Sequence, residues 1–144
     1  MGRILGIDYG DSRIGLAISD TNKIIASPFK TIKNIGFDKT KEKISDIIQE
    51  NEIEIIVLGL PISMSGADTN QTKRVRKFQD LIQDLDVPIQ MQDERLSSLS
   101  AKKSLIQQKI KTGHNKHLID STAAAIFLQH YLDSKFHKWK ITFL

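Results

Sequence analysis

The chain contains no cysteine, which excludes disulfides and thiolate metal sites and suits a reducing compartment. It also has no apolar run of membrane-spanning length, and the opening Met1-Gly-Arg-Ile-Leu-Gly-Ile-Asp8 lacks the hydrophobic stretch of a secretory signal. A cytoplasmic protein without membrane contact is the expectation. No internal repeat, low-complexity tract or linker interrupts the chain, and its 4 histidines never adopt the His-Glu-x-x-His spacing of a zinc site. Apolar depletion and extreme charge, the marks of disorder, are absent too: 40% of the residues are hydrophobic and 26% charged. What remains is a chain of 144 residues, enough for a sheet and several helices around one core, so a single domain over 1–144 is expected. A formal net charge of +4 favours an anionic partner without specifying any chemistry.

The first third predicts three strands, Arg3–Ile7, Ile14–Ser19 and Ile24–Ile32, separated by short polar turns at Tyr9–Arg13 and Asp20–Lys23. From Phe37 the apolar spacing turns helical, with Phe37, Ile44, Ile47 and Ile48 on one stripe. Glu54–Leu58 is apolar on both faces, as at the centre of a helix-covered sheet, and Gly59–Gly66 reads as a loop. A second helix carries Val75, Phe78, Ile82 and Leu85 and should end before Val87-Pro88, since proline disfavours helix in the residue before it. A strand over Val87–Gln92 and two helices, Leu99–Ile110 and Leu118–Leu132, follow, the helices parted by Thr112-Gly113-His114-Asn115. The tail Lys135–Leu144 carries Phe136, Trp139, Ile141 and Phe143 and could pack as a short strand. This order implies an antiparallel meander joined to crossover units, hence an α/β three-layer domain.

Three acidic positions invite a chemical reading. Asp8 closes the first strand, where the apolar run before it carries the carboxylate to the edge of the sheet; the plain alternative is a turn aspartate bonded to its own backbone. Asp93-Glu94 stands where the last strand runs out, and alternation sends the two acids to opposite faces, so one of them at most joins such a site. Either could instead serve as a helix cap or first-turn acid. Asp120 shares a helical stripe with Ala124, Phe127 and Tyr131, which sets a charge at the start of a core-facing surface. A buried carboxylate is costly unless capped, paired or bound to metal, and Ala123-Ala124-Ala125 removes bulk so that this helix can approach the sheet. Converging, Asp8, one acid of Asp93-Glu94 and Asp120 would offer the oxygen donors that hard divalent cations want, and phosphodiester cleavage profits from such ions.

Cations accompany the acids. Lys73, Arg74, Arg76 and Lys77 open the second helix, and Lys102, Lys103, Lys109 and Lys111 lie on or just after the third. Such clusters bind polyanions by displacing counterions, although any one of them could be simply a solvated helix face. Arg13, Arg95 and Lys116 each lie close in sequence to a candidate acid.

Taken together, Asp8-Tyr-Gly-Asp-Ser-Arg-Ile-Gly-Leu-Ala-Ile-Ser-Asp20, Gly59-Leu-Pro with Gly66, Arg74-Val-Arg-Lys-Phe78, Asp93-Glu-Arg-Leu-Ser-Ser98, Lys116-His-Leu-Ile-Asp-Ser-Thr-Ala-Ala124 and Leu128-Gln-His-Tyr-Leu132 resemble the YqgF/RuvX family. That family is described as Holliday junction resolvases and as nucleases that process the precursor of small-subunit ribosomal RNA. The resemblance runs from about Ile4 to Leu132. It implies an RNase H-like three-layer domain with a mixed five-stranded sheet flanked by helices, its core over about 4–132 and a C-terminal tail at 133–144. It further implies a hydrolase acting on ester bonds, a metal-dependent endonuclease with Mg²⁺ or Mn²⁺ held by Asp8, Glu94 and Asp120, which resolves the Asp93-Glu94 choice toward Glu94. The implied partner is nucleic acid, met by Arg13, Arg74, Arg76, Lys77, Arg95, Lys102, Lys103 and Lys116. The substrate implied first is the 5′ end of precursor 16S rRNA; a four-way DNA junction, or binding without catalysis, are the alternatives, and either a monomer or a homodimer is compatible. Two departures stand out: Asp11-Ser12 replaces the usual Thr-Lys before Arg13, and Ser97-Ser98 replace the commoner threonines.

Overall fold

The computed structural model describes residues 2–93 and 116–136, with side chains of the last helix from Ile119 onward. Strands β1 (Arg3–Tyr9), β2 (Arg13–Ser19) and β3 (Ala26–Lys33) form the antiparallel meander, with Asp8 opposite Gly15 and Leu5 opposite Ile18. Helix α1 (Phe37–Asn51) returns the chain to β4 (Ile53–Leu60), which pairs in parallel with β1. Helix α2 (Asn70–Ile82), prolonged by a 3-10 turn at Gln83–Leu85, leads to β5 (Ile89–Asp93), parallel to β4. The last described element is α3 (Lys116–Phe136). The strands lie in the order β3-β2-β1-β4-β5, a mixed sheet of five strands.

Alternation along β1 divides the interior. Leu5, Ile7 and Tyr9 face α1 and α2, where they pack with Ile44, Ile47, Val75, Phe78 and Ile82. Ile4 faces the other way and packs with Ala17, Val57, Ala124, Phe127 and Leu128 beneath α3. Two cores on two faces give the three layers that the order of elements implied. Phe78 and Phe127 are both fully buried, and truncating a core phenylalanine to alanine typically costs about 3–5 kcal/mol.

Local chemistry sets the element ends. The Thr69 hydroxyl accepts the Thr72 N–H at 3.1 Å while the Thr72 hydroxyl accepts the Thr69 N–H at 3.0 Å, a reciprocal cap that starts α2. β3 begins at Ala26 rather than Ile24, because the Asp20 carboxylate captures the N–H groups of Ile24 at 2.8 Å and Ile25 at 2.9 Å and lengthens the turn. Those backbone donors, that of Ile25 foremost, also hold the Asp20 carboxyl below its ordinary pKa. β4 runs on to Leu60, so the loop expected from Gly59 opens at Pro61. β5 starts at Ile89 because Pro88 has no N–H to give, although its carbonyl accepts the Ile56 N–H at 2.9 Å. The last helix is longer at both ends than Leu118–Leu132 and absorbs the start of the expected tail, with Phe136 packing edge-on to Tyr131 at 6.3 Å. The expected helix at 99–110, its stop at 112–115 and the remainder of the tail lie outside the described residues.

Glycine lets α3 close on the sheet. A Cβ on Gly15 would stand 2.2 Å from the Asp120 carbonyl oxygen and 2.3 Å from its carbon, whereas a Cβ on Gly6 would stand 3.1 Å from the Leu128 Cβ and 3.3 Å from the Ala124 oxygen. Backbone cannot swing aside as a side chain can, so Gly15→Ala should destabilise the protein by at least about 2 kcal/mol, and Gly6→Ala by less. Chemical denaturation of the two variants checks this; equal, small effects would contradict so close an approach.

Candidate functional site

Asp8 sits one residue from the end of β1, beside Gly15 of β2 in the ladder. Residues directly opposite one another point to the same face, and Gly15 faces α3. Asp8 therefore belongs to the α3 face, two residues on from Gly6, which α3 also covers. Asp120, in the second turn of α3, rests its main chain on Gly15. One glycine thus lies beneath the main chain of one acid and beside the other in the ladder, which puts both residues on the α3 side of the sheet. Both residues are half-buried. The alanines behind Asp120 are buried against the sheet, as the small-residue run suggested.

Arg13, the first residue of β2, bonds Asp120 through Nε to Oδ2 at 2.8 Å. This sets a guanidinium beside the carboxylate and orients it. The loop between β1 and β2 is held from outside: Gln71 Nε2 donates to the Tyr9 carbonyl and Asn34 Nδ2 to the Gly10 carbonyl, each at 2.8 Å. The Asn34 N–H reaches the Ser12 carbonyl at 2.9 Å. Asn34 and Gln71 carried no sequence signal, because a single amide that bonds a distant carbonyl leaves no periodic trace.

Asp93 pairs in register with Leu60, and the alternating Ile89 and Met91 pack into the α1/α2 core, so Asp93 falls on the face away from Asp8. Gln92 takes the α3 face, where its amide meets the His130 ring at 2.8 Å. Glu94, Arg95, Lys102 and Lys103 lie outside the described residues, as does the side chain of Lys116, whose backbone opens α3. Among the described residues no three of His, Cys, Asp and Glu gather as a metal-binding group. The described part of the candidate centre is Asp8 with Asp120, two carboxylates on rigid elements whose oxygens suit Mg²⁺ or Mn²⁺. The cations of α2 are exposed and partly tied: Arg74 Nη1 bonds Asp11 Oδ2 at 3.0 Å and Arg76 Nε bonds Asp68 Oδ2 at 3.2 Å. Lys77 is exposed on the same helix.

A meander continued by parallel strands, with helices layered on both faces of the mixed sheet, defines an RNase H-like domain. Solved structures share the fold: that of T. thermophilus RuvC in complex with Holliday junction substrate superposes with a TM-score of 0.61 at 14% identity, covering 94% of this chain and 96% of that one. The yeast mitochondrial Holliday junction resolvase gives 0.54 at 13% identity, covering 99% and 85%. The family model described as "RuvX: Holliday junction resolvase" matches residues 2–134, and the chain belongs to that family. Relatives named "Putative pre-16S rRNA nuclease" are 44% identical in Endomicrobium trichonymphae, over 92% of this chain and 96% of that protein, and 41% identical in Clostridioides difficile, over 93% and 96%. No described helix is long and apolar enough to cross a membrane.

The Arg13 and Asp120 side chains are 45% and 23% exposed, so water screens their ion pair. A double-mutant cycle on Arg13→Ala and Asp120→Ala should return a coupling below about 1 kcal/mol in thermal or denaturant unfolding. A much larger value would make the pair a structural fastener.

Proposed function

We propose that this chain is a metal-dependent endonuclease that hydrolyses phosphodiester bonds at the 5′ end of precursor 16S rRNA, with Asp8, Glu94 and Asp120 as its metal-holding acids. The observation that carries the reading is the convergence of Asp8 and Asp120 on one edge of the α3 face, from opposite ends of the sequence. Family membership and the name borne by the relatives supply the reaction class and the substrate. Glu94, which lies outside the described residues, is taken as the third acid on the resemblance of Asp93-Glu-Arg-Leu-Ser-Ser98 to the family. Mg²⁺ or Mn²⁺, when bound, would supply positive charge to the attacking and leaving oxygens of the phosphodiester.

The protein's own part is placement. β1 fixes Asp8, α3 carries Asp120, and Arg13 holds the Asp120 carboxylate in one orientation. Arg13, Arg74, Arg76 and Lys77, with Arg95, Lys102, Lys103 and Lys116, are the proposed contacts to phosphates. The exposed ion pairs of Arg74 and Arg76 contribute little to stability, so these side chains can exchange carboxylate for phosphate at small cost. One domain over the whole chain, acting in the cytoplasm, fits this reading. The family's description as a resolvase favours a four-way DNA junction as the second substrate to test.

Asp8→Asn should cut metal-dependent cleavage of a precursor 16S rRNA by at least about a hundredfold, since Asn keeps the shape of Asp and removes the charge that attracts the metal. Fold and binding should persist, because Asn serves a turn as well as Asp does. Cleavage at the wild-type rate, assayed with Mg²⁺, Mn²⁺ or chelator, would sink the mechanism, and the same assay on a four-way junction decides the substrate. Binding to either nucleic acid should weaken steeply as salt rises, and Arg74→Ala should flatten that dependence; affinity that ignores salt would exclude a phosphate-led interface.

A further inference from the structure

Three aromatic rings run in a column across the end of the sheet, outside the carboxylate pair. Phe78 of α2 stacks on Tyr9 with centroids 4.4 Å apart and planes 24° from parallel, and Tyr9 stacks on Phe37 at 6.3 Å and 17°. The two inner rings are buried. Phe37, expected on the core-facing stripe with Ile44 and Ile47, is instead 40% exposed, and Ile35 close by is 53% exposed. Phe37 opens α1 directly after Gly36, whose φ of 108° favours glycine.

Scattered apolar side chains on a surface need no explanation. This one differs in three respects. Its ring ends a stack whose inner members are buried in the core, so packing limits the side-chain freedom a ligand would have to order. The stack is anchored in the active strand itself, since Tyr9 follows Asp8 and its carbonyl is held by Gln71. A cation flanks it: Arg74 lies one turn before Phe78 on α2 and reaches Asp11, two residues beyond Tyr9.

We propose that Phe37 is a stacking platform for an unpaired nucleobase of the strand that enters the Asp8 and Asp120 centre. This deepens the nuclease reading and rests on it. A strand crossing the end of β1 passes from the α3 face, with Asp8, to the α1/α2 face, with Phe37, because adjacent residues of a strand point to opposite sides. Arg74 meets its phosphates and Phe37 extends the protein's own column by one ring. A base in a duplex is already stacked on both sides, so the platform selects single-stranded segments, and it accepts any base because every base has a π-face.

The test uses the full chain, with chelator to prevent cleavage, and short single-stranded RNA carrying 2-aminopurine, a single-stranded DNA of the same sequence, and duplex RNA of equal length. Phe37→Ala should weaken binding of both single strands about tenfold, leave the duplex unaffected, and keep the salt slope of the wild type, since stacking displaces no counterion. Phe37→Tyr should bind as the wild type does. Phe37→Leu keeps apolar cover on Tyr9 and should lose affinity as Phe37→Ala does, which separates stacking from a fold defect. The 2-aminopurine emission should be quenched by the wild type and the Tyr variant alone. Wild-type affinity in the Ala variant, an equal loss on the duplex, or full retention by the Leu variant would overturn the platform and leave the nuclease reading standing. A wild type that binds neither single strand would overturn the platform, and one that also fails to bind the duplex would count against the nuclease reading.

Discussion

The backbone of α3 rests on the bare main chain of Gly15, and the geometry of the candidate centre depends on that contact. A Cβ at this position would overlap the Asp120 carbonyl at 2.2 Å, so any side chain would lift the start of the helix from the sheet. Lifting it would part Asp120 from Asp8 and take Arg13 from its 2.8 Å bond to the Asp120 carboxylate. Gly6 and the alanines at 123–125 extend the same close seam along the helix. The cost is cohesion: a seam of glycine and alanine buries less apolar area than one of leucine would. The large residues Phe127, Leu128 and Leu132 anchor α3 further along and offset this, leaving the small ones near the site.

Charge is distributed to the same end. Arg13, Arg74 and Arg76 each pair with an acid, Asp120, Asp11 and Asp68 in turn, and each pair is exposed enough for solvent to weaken it. Asp11 lies in the first loop, between β1 and β2. The structure places its carboxylate on the Arg74 guanidinium, so its negative charge is balanced locally. This acid thus tethers the first loop to α2, while Gln71 and Asn34 hold that loop by its carbonyls.

A single strand end addresses two environments. Asp8 lies on the α3 face; Tyr9 turns toward α1 and α2 and joins the column of rings. Polar chemistry and apolar contact therefore lie one residue apart along the chain, on opposite sides of the sheet, and both are held by the ladder of β1 with its neighbours. This economy follows from the period of a strand, which needs no loop to present two kinds of surface.

By itself the sequence determined the order of elements, the class of fold and the identities of Asp8 and Asp120 as candidate acids, because strand and helix periods, turn residues and a charge on an apolar stripe are local signals. It also set Asp93 on the face of Ile89 and Met91, where the register with Leu60 puts it. Element ends were less legible. Asp20 lengthens the turn before β3 through bonds to its own backbone neighbourhood, and Pro88 moves the start of β5, both competing with apolar runs that read as longer strands. Only the tertiary structure decided that Arg13 meets Asp120 across 107 positions, that Arg74 meets Asp11, and that Phe37, at the end of its stripe, stacks on Tyr9 while staying 40% exposed. These depend on which elements become neighbours in space, and a one-dimensional pattern records the period of each element but not the distance between two of them.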